Sequence, residues 1–302
     1  MSYDIVIVGG GPAGLSAALA LGRARKRVLL CDSGPRRNAA AVHVHNFVTR
    51  DGVTPNDFRR IARVELENYP KVEVRDAPVD AISGERGAFQ VTIANEKVSA
   101  RRILLATGMI DELPALEGFR ELWGQSIFQC PYCHGWEVQD RRFAVLAYQP
   151  ELLEFSLLVR GWTKSVMALT DGRYEVPPEA ATRLASAGIR LETRPLKRLV
   201  ARDGTLEAIE LASDEAIPCD VLFAHPPQRQ VPIVRSLGVA LDELGYVKID
   251  PMTRETSLPG VYAGGDLITR MQGAIMAAAL GTQAAAMLNH FLTAELAMAG
   301  AL

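Results

Sequence analysis

Residues 3–14 read YDIVIVGGGPAG, an apolar run that ends in a glycine cluster and passes into an alanine-rich stretch. A short β-branched run bounded by glycine has the pattern of a buried parallel strand. The glycines have separate tasks: Gly9 allows the tight turn, Gly11 lets backbone approach a pyrophosphate, and Gly14 lets helix lie against strand. Pro12 and Ala13 open that helix, whose first amides face the phosphates. A second apolar run, 27–31, ends at Asp32, eighteen residues after Gly14, where a carboxylate can accept from adenosine ribose hydroxyls. Strand, glycines, helix, strand and acid in this order predict a dinucleotide-binding α/β unit.

The chain has 302 residues, 48% hydrophobic and 23% charged, enough for a large core and two domains. A net charge of −2 argues against nucleic acid or an anionic membrane as partner. The dibasic pairs Arg36-Arg37, Arg59-Arg60, Arg101-Arg102 and Arg141-Arg142 are scattered and read as solvated surface. The start lacks a basic n-region and a cleavage site, and four cysteines are too few for a stapled extracellular scaffold, so a cytoplasmic protein is expected. The most apolar stretch, 273–288, is alanine-dominated and contains Gln283; a buried helix explains it better than a membrane span. His43 and His45 lack a third ligand at suitable spacing. No metal is expected, and the pair is assigned to the surroundings of a redox pocket or to loop packing.

Further along, Thr54, Pro55 and Asp57 form an N-cap, a first-turn proline and a first-turn acid, opening a helix to about Asn68. Short β-branched runs between 72 and 106 suggest an antiparallel meander, ending in Ala106-Thr107-Gly108, small residues that let backbone lie close to a cofactor. Residues 111–114 (DELP) read as a crossing into another domain.

There the sequence Cys130-Pro131-Tyr132-Cys133-His134-Gly135 can close a small disulfide, a two-electron switch. Runs 143–148, 150–160 and 165–170 form a βαβ unit without glycines in its first turn, where Ala147-Tyr148-Gln149-Pro150-Glu151 would crowd a pyrophosphate and remove an amide donor. Thr170-Asp171-Gly172-Arg173 has no arginine pair for a 2′-phosphate. The fold is expected to persist with its NADPH site lost. After His225-Pro226-Pro227 the chain returns to the first domain and reaches Ala263-Gly264-Gly265-Asp266, where an aspartate after paired glycines can bind a ribityl hydroxyl. A helix from about Gly273, with Ala274 and Ile275 in its first turn, can point amides at a flavin carbonyl. Cys31 and Cys219 read as inert packing residues.

GGGPAG at the start, ATG at 106–108, CPYCHG at 130–135 and AGGD at 263–266 resemble the low-molecular-weight thioredoxin reductase-like flavoproteins, over nearly the whole chain. The resemblance implies a two-domain α/β architecture of the pyridine nucleotide-disulfide oxidoreductase type: a discontinuous Rossmann-type FAD domain (1–112 and 227–302) around a smaller α/β redox domain (113–226), in a homodimer. It implies FAD held by Gly9, Gly11, Pro12, Ala13, Gly14, Asp32, Asn46, Ala106, Thr107, Gly108, Gly265, Asp266, Gln272, Ala274 and Ile275. It also implies that Cys133 lies beside the flavin while Cys130 exchanges with substrate. His134, where NADPH-dependent members have aspartate, together with the missing glycines, is similar to the dithiol oxidase branch acting on gliotoxin- and holomycin-type small molecules. In that reading His134 is the general base, because an unperturbed imidazole titrates near neutrality. The expected substrate is a small-molecule dithiol or a thioredoxin-like protein. The alternatives are a disulfide reductase fed by ferredoxin, a second flavin or NADPH, and a redox-sensing flavoprotein without turnover.

Overall fold

The computed structural model describes residues 2–301. The chain divides into two compact units. One contains the chain up to Ala39, Asn46–Asp111 and the chain from Gln228 onward; the other contains Ala40–His45 and Glu112–Pro227.

The first unit begins with β1 (Ser2–Val8), α1 (Pro12–Arg23), β2 (Val28–Cys31), α2 (Pro55–Leu66) and β3 (Val72–Arg75). It continues through β4 (Val79–Ser83), β5 (Phe89–Ile93), β6 (Glu96–Leu105) and β7 (Ile110–Asp111). β1 runs parallel to β2 on one side, which is parallel to β3, and to β6 on the other. Its side chains are buried on both faces: Ile5 and Ile7 pack with α1, while Val6 and Val8 enter a second core with Phe89 and Val91. α2 starts as its sequence predicts, with the Asp57 N–H donating to Thr54 Oγ1 at 3.0 Å.

The meander is shorter than the sequence suggested. Only β4, β5 and the first half of β6 are antiparallel. β3 instead lies parallel to β2, because α2 is a crossover that returns the chain in the same direction. A run such as Val-Glu-Val looks alike in either kind of sheet.

The second unit contains α3 (Phe119–Leu122), β8 (Ile127–Phe128), α4 (Pro131–His134), β9 (Phe143–Leu146), α5 (Leu153–Val159), β10 (Val166–Leu169), α6 (Pro178–Ser186) and β11 (Arg190–Glu192). After them come β12 (Leu196–Arg202), β13 (Thr205–Leu211), β14 (Ala216–Pro218) and β15 (Val221–Ala224). The five-stranded parallel sheet has the order β11-β10-β9-β15-β8, and β12–β14 form a separate antiparallel sheet.

The chain re-enters the first unit at β16 (Gln228–Arg229), antiparallel to β7, and continues through α7 (Pro232–Leu237), β17 (Val261–Ala263) and α8 (Ala274–Met298). β17 is parallel to the second half of β6. α8 is long and apolar enough to cross a membrane by length and composition. In the fold, its residues Ala277, Ala284, Ala285, Leu288 and Leu292 are buried in the α1 core. Gly281 makes the close crossing: a Cβ there would lie 2.1 Å from the Ala13 carbonyl oxygen.

The reading of the dibasic pairs as solvated surface fails at three of them: Arg59 pairs with the buried Asp32. Arg102 is 2% exposed and pairs with Glu295. Arg37 is held among acids of the first unit, and Arg36 buries Nε and one terminal nitrogen. A long arginine stem can be buried where a carboxylate meets its head, and composition does not reveal such partners.

Candidate active site

In the second unit, Cys130 precedes the single turn of α4, with Pro131 at its first position and the Cys133 N–H donating to the Cys130 carbonyl at 3.2 Å. The turn places the two cysteines with Cα atoms 5.3 Å apart, joined as a disulfide. Gly135 lets the turn lie on Trp162, since a Cβ there would come 2.8 Å from the indole. Tyr132 and Trp136, flanking the pair, are 61% and 71% exposed.

His134 stacks flat on Phe128 of β8, with ring centroids 4.4 Å apart and planes within 10°. Both ring nitrogens are buried without a hydrogen-bond partner. The near-neutral imidazole expected from the sequence gives way to one pushed down to about 4, first by burial and then by the charge of His45. His134 is therefore neutral at neutral pH. His43 and His45 reach this site on the segment Ala40–His45. The His45 ring stands edge-on to His134, with centroids 6.4 Å apart, and His45 Nδ1 lies 3.5 Å from Glu137 Oε1. Among the described residues no group of three metal-ligating side chains occurs.

Ligands of parallel α/β sheets bind beyond the carboxyl ends of the strands. In the second unit those ends, at β9 and β10, carry Tyr148 and Arg173. The Arg173 guanidinium lies 3.4 Å from the centroid of the Tyr148 ring. The Tyr174 hydroxyl donates to the Ala147 carbonyl at 3.0 Å. A 3-10 turn at Pro150–Leu152 precedes α5, which has no side-chain cap. The glycine-free turn is thus filled by the protein's own side chains.

In the first unit, Val8 pairs with Cys31 and Leu105, and Ala263 pairs with Leu105. This register brings Gly9, Asp32, Ala106–Gly108 and Gly264–Asp266 to the same edge of one sheet. Gly9 (φ +114°) has no room for a side chain, with the Ala106 carbonyl oxygen 2.3 Å from an ideal Cβ. A Cβ on Gly11, Gly108 or Gly273 would meet no protein atom within 4 Å. Asp32 is buried; its Oδ1 accepts from the Gly34 N–H at 2.9 Å and its Oδ2 from Arg59 Nε at 2.8 Å and Arg63 at 3.3 Å. Asn46 adopts a left-handed conformation, and its N–H donates to Asp51.

Arg37 is the unanticipated centre of this edge. It bridges Asp111 through two bonds of 2.8 Å, Asp266 at 2.9 Å and Gln272 at 2.6 Å. Gln228 joins Asp111 and Gln272. Burial raises the Asp266 carboxyl above the usual range, against the opposing pull of Arg37. Asp266 Oδ1 remains buried without a partner, as do two nitrogens of Arg36. Orphaned acceptor and donor atoms beside open glycines fit a ligand with sugar hydroxyls and phosphates. Gly11, Gly108, Gly273, Asp266 and Arg36 are thus compatible with FAD. The signal in the sequence for Arg37 was only its place five residues after Asp32.

The pattern of the pyridine nucleotide-disulphide oxidoreductase family matches residues 3–150 and 164–284. The thioredoxin reductase aclD of Aspergillus oryzae is 33% identical over 299 residues, covering 94% of both chains. A probable thioredoxin reductase of Arthroderma benhamiae is 36% identical over 177 residues, a match that spans 44% of that protein's length. An oxidoreductase from Agrobacterium tumefaciens, of known crystal structure, is 34% identical with a TM-score of 0.91, covering 97% of this chain and 99% of that one. The matched residues run through both units and include the glycine turn at 9–14 and the cysteines at 130 and 133. The chain therefore belongs to the pyridine nucleotide-disulphide oxidoreductase family, as a thioredoxin reductase-like, FAD-dependent disulfide oxidoreductase.

Proposed function

We propose that this enzyme oxidises a small-molecule dithiol to a disulfide and does so without NADPH. The observation that carries this reading is the Tyr148–Arg173 stack across the strand ends of the second unit, where a dinucleotide would need open backbone. One substrate thiol gives its proton to the neutral His134, a transfer for which the turn must first uncover one of the two buried ring nitrogens. The resulting thiolate attacks Cys130 Sγ, breaking the Cys130–Cys133 bond and releasing the Cys133 thiolate. The second substrate thiol gives its proton to the released Cys133 thiolate and displaces Cys130, which takes back the proton from His134; this closes the substrate disulfide and leaves both cysteines reduced. FAD, held by Gly11, Gly108, Gly273, Asp266 and Arg36, would supply the two-electron acceptor that reoxidises the pair, with oxygen as the final acceptor. Exposed Tyr132 and Trp136 offer aromatic surface to an apolar substrate beside Cys130.

A second reading is favoured by the names of the relatives: the same pair reduces a thioredoxin-like protein with electrons from ferredoxin, a second flavin or NADPH. An anaerobic titration of the purified holoenzyme separates the two. Bleaching of the flavin band by a small dithiol, reversed by air with peroxide release, is expected. Rapid bleaching by NADPH would overturn the lost nucleotide site. The active form is proposed to be a homodimer; light scattering that gives the mass of one chain would refute this.

A further inference from the structure

Asp111 ends β7 and is where the chain leaves the first unit for the second; Gln228, opposite it on β16, is where the chain returns. The ladder between these strands has only two residue pairs, Gln228 with Asp111 and Arg229 with Ile110. A two-stranded ladder so short does not hold itself together in water. Side chains close it instead.

Arg37 commits four of the five N–H donors of its planar fork to this place. Nε and one Nη2 hydrogen take the two oxygens of Asp111, both at 2.8 Å, and Nη1 takes Asp266 Oδ2 at 2.9 Å and Gln272 Oε1 at 2.6 Å. Gln228 Nε2 donates to Asp111 Oδ1 at 2.9 Å and to Gln272 Oε1 at 3.0 Å, while its own Oε1 accepts from Gln272 Nε2 at 2.9 Å and from the Tyr246 hydroxyl at 3.1 Å. Gln272 Nε2 also donates to the carbonyls of Asp266 and Thr269, at 3.2 and 3.1 Å. Arg37, Asp111, Gln228 and Gln272 therefore form a closed ring inside the first unit, and Asp266 hangs from it by both its carboxylate and its carbonyl. Both ends of the Gln272 amide are taken up by protein partners. The acceptor left open is Asp266 Oδ1, buried without a partner.

We propose that Arg37 is a positioning residue for FAD: its fork holds Asp266 so that Oδ1 faces the cofactor, and through Asp111 and the two glutamines it makes FAD retention and the closure of the β7–β16 ladder one event. A hydroxyl of the cofactor that takes Oδ1 fixes Asp266, Asp266 fixes the ring, and the ring fixes the ladder. Coupling of this kind is reciprocal, so a looser ladder weakens FAD by the factor by which FAD tightens the ladder. Charge alone does not suffice, because an ammonium has three donors and no fixed plane in which to present them to two carboxylates and an amide. The proposal rests on FAD binding and is independent of the direction of electron flow.

The test follows the holoenzyme by two readouts: release of FAD after dilution, as the rise in free-flavin fluorescence, and amide hydrogen exchange of peptides spanning 109–112 and 228–231. Arg37→Lys keeps the charge and loses the fork; it should speed FAD release about ten- to hundredfold, the loss expected for hydrogen bonds to charged groups. Exchange should quicken at both strands and stay unchanged in β1 and β6. Gln228→Leu, which alters no charge, should move both readouts in the same direction by a smaller factor, and it decides the case if Arg37→Lys fails to fold. Wild-type FAD retention in Arg37→Lys would overturn the proposal, since neutralising the carboxylates would then be all that Arg37 does. Faster exchange spread through β1 and β6 would overturn it as well, by showing a general loss of stability. So would a Gln228→Leu enzyme whose ladder exchanges faster while FAD leaves at the wild-type rate, because ladder and cofactor would then be uncoupled.

Discussion

Replacing Gly281 with alanine tests whether the crossing of α1 and α8 shapes the cofactor edge. The new methyl would sit 2.1 Å from the Ala13 carbonyl oxygen and 2.7 Å from both its carbonyl carbon and Cα. These are backbone atoms and have no rotamer through which to escape. Ordinary contact needs about 3.4 Å, so the helices must part by roughly 1 Å, and overpacking of this kind costs about 1–3 kcal/mol. Alanine returns up to about 1 kcal/mol in helix propensity, which leaves a net loss of about 1–2 kcal/mol. For a chain of this size, with an unfolding entropy of about 0.6 kcal/mol/K, that is a fall in Tm of about 2–3 °C. Ala13 lies inside the Gly9–Gly14 turn, so the displacement should also loosen FAD. The assay is thermal unfolding of the holoenzyme, followed by circular dichroism and by the rise in free-flavin fluorescence. An unchanged or raised Tm with full flavin retention would refute the argument, because α8 would then have freedom the packing denies it.

Cys130→Ser should abolish dithiol turnover while leaving the bound flavin spectrum in place; residual turnover in this variant would exclude Cys130 as the exchanging thiol. Burial pushes the thiols of Cys31 and Cys219 up to about 12, so at pH 8 both stay protonated. Iodoacetamide on the reduced native enzyme should therefore label two cysteines and not four, as read by mass spectrometry. Arg37→Met would strand the Asp111 and Asp266 carboxylates and cost about 3–5 kcal/mol at pH 7. A buried carboxyl with a raised folded pKa destabilises only while ionised, so the deficit should shrink as pH falls through that pKa. Denaturant titrations at pH 7 and pH 5 that give the same deficit would exclude this account.

How much was legible in the sequence depends on how local each signal is. The glycine turn after β1, the cap at Thr54 and the cysteine turn each lie within a few residues, where backbone geometry and chain connectivity do the specifying. The absent glycines at 147–151 were equally plain. What the sequence could not show is what replaces them: Arg173 folding over the Tyr148 ring requires β9 and β10 to lie side by side. Likewise His134 looked like an ordinary imidazole, and only packing against Phe128 and His45 makes it a neutral one. Arg36 and Arg37 looked like surface until the fold carried Asp266, 229 residues further on, to within 2.9 Å of Arg37. Residue type and short spacing set which chemistry was available to this chain. The tertiary structure alone decided which charges are buried together, because burial and a partner's distance depend on segments far apart in sequence.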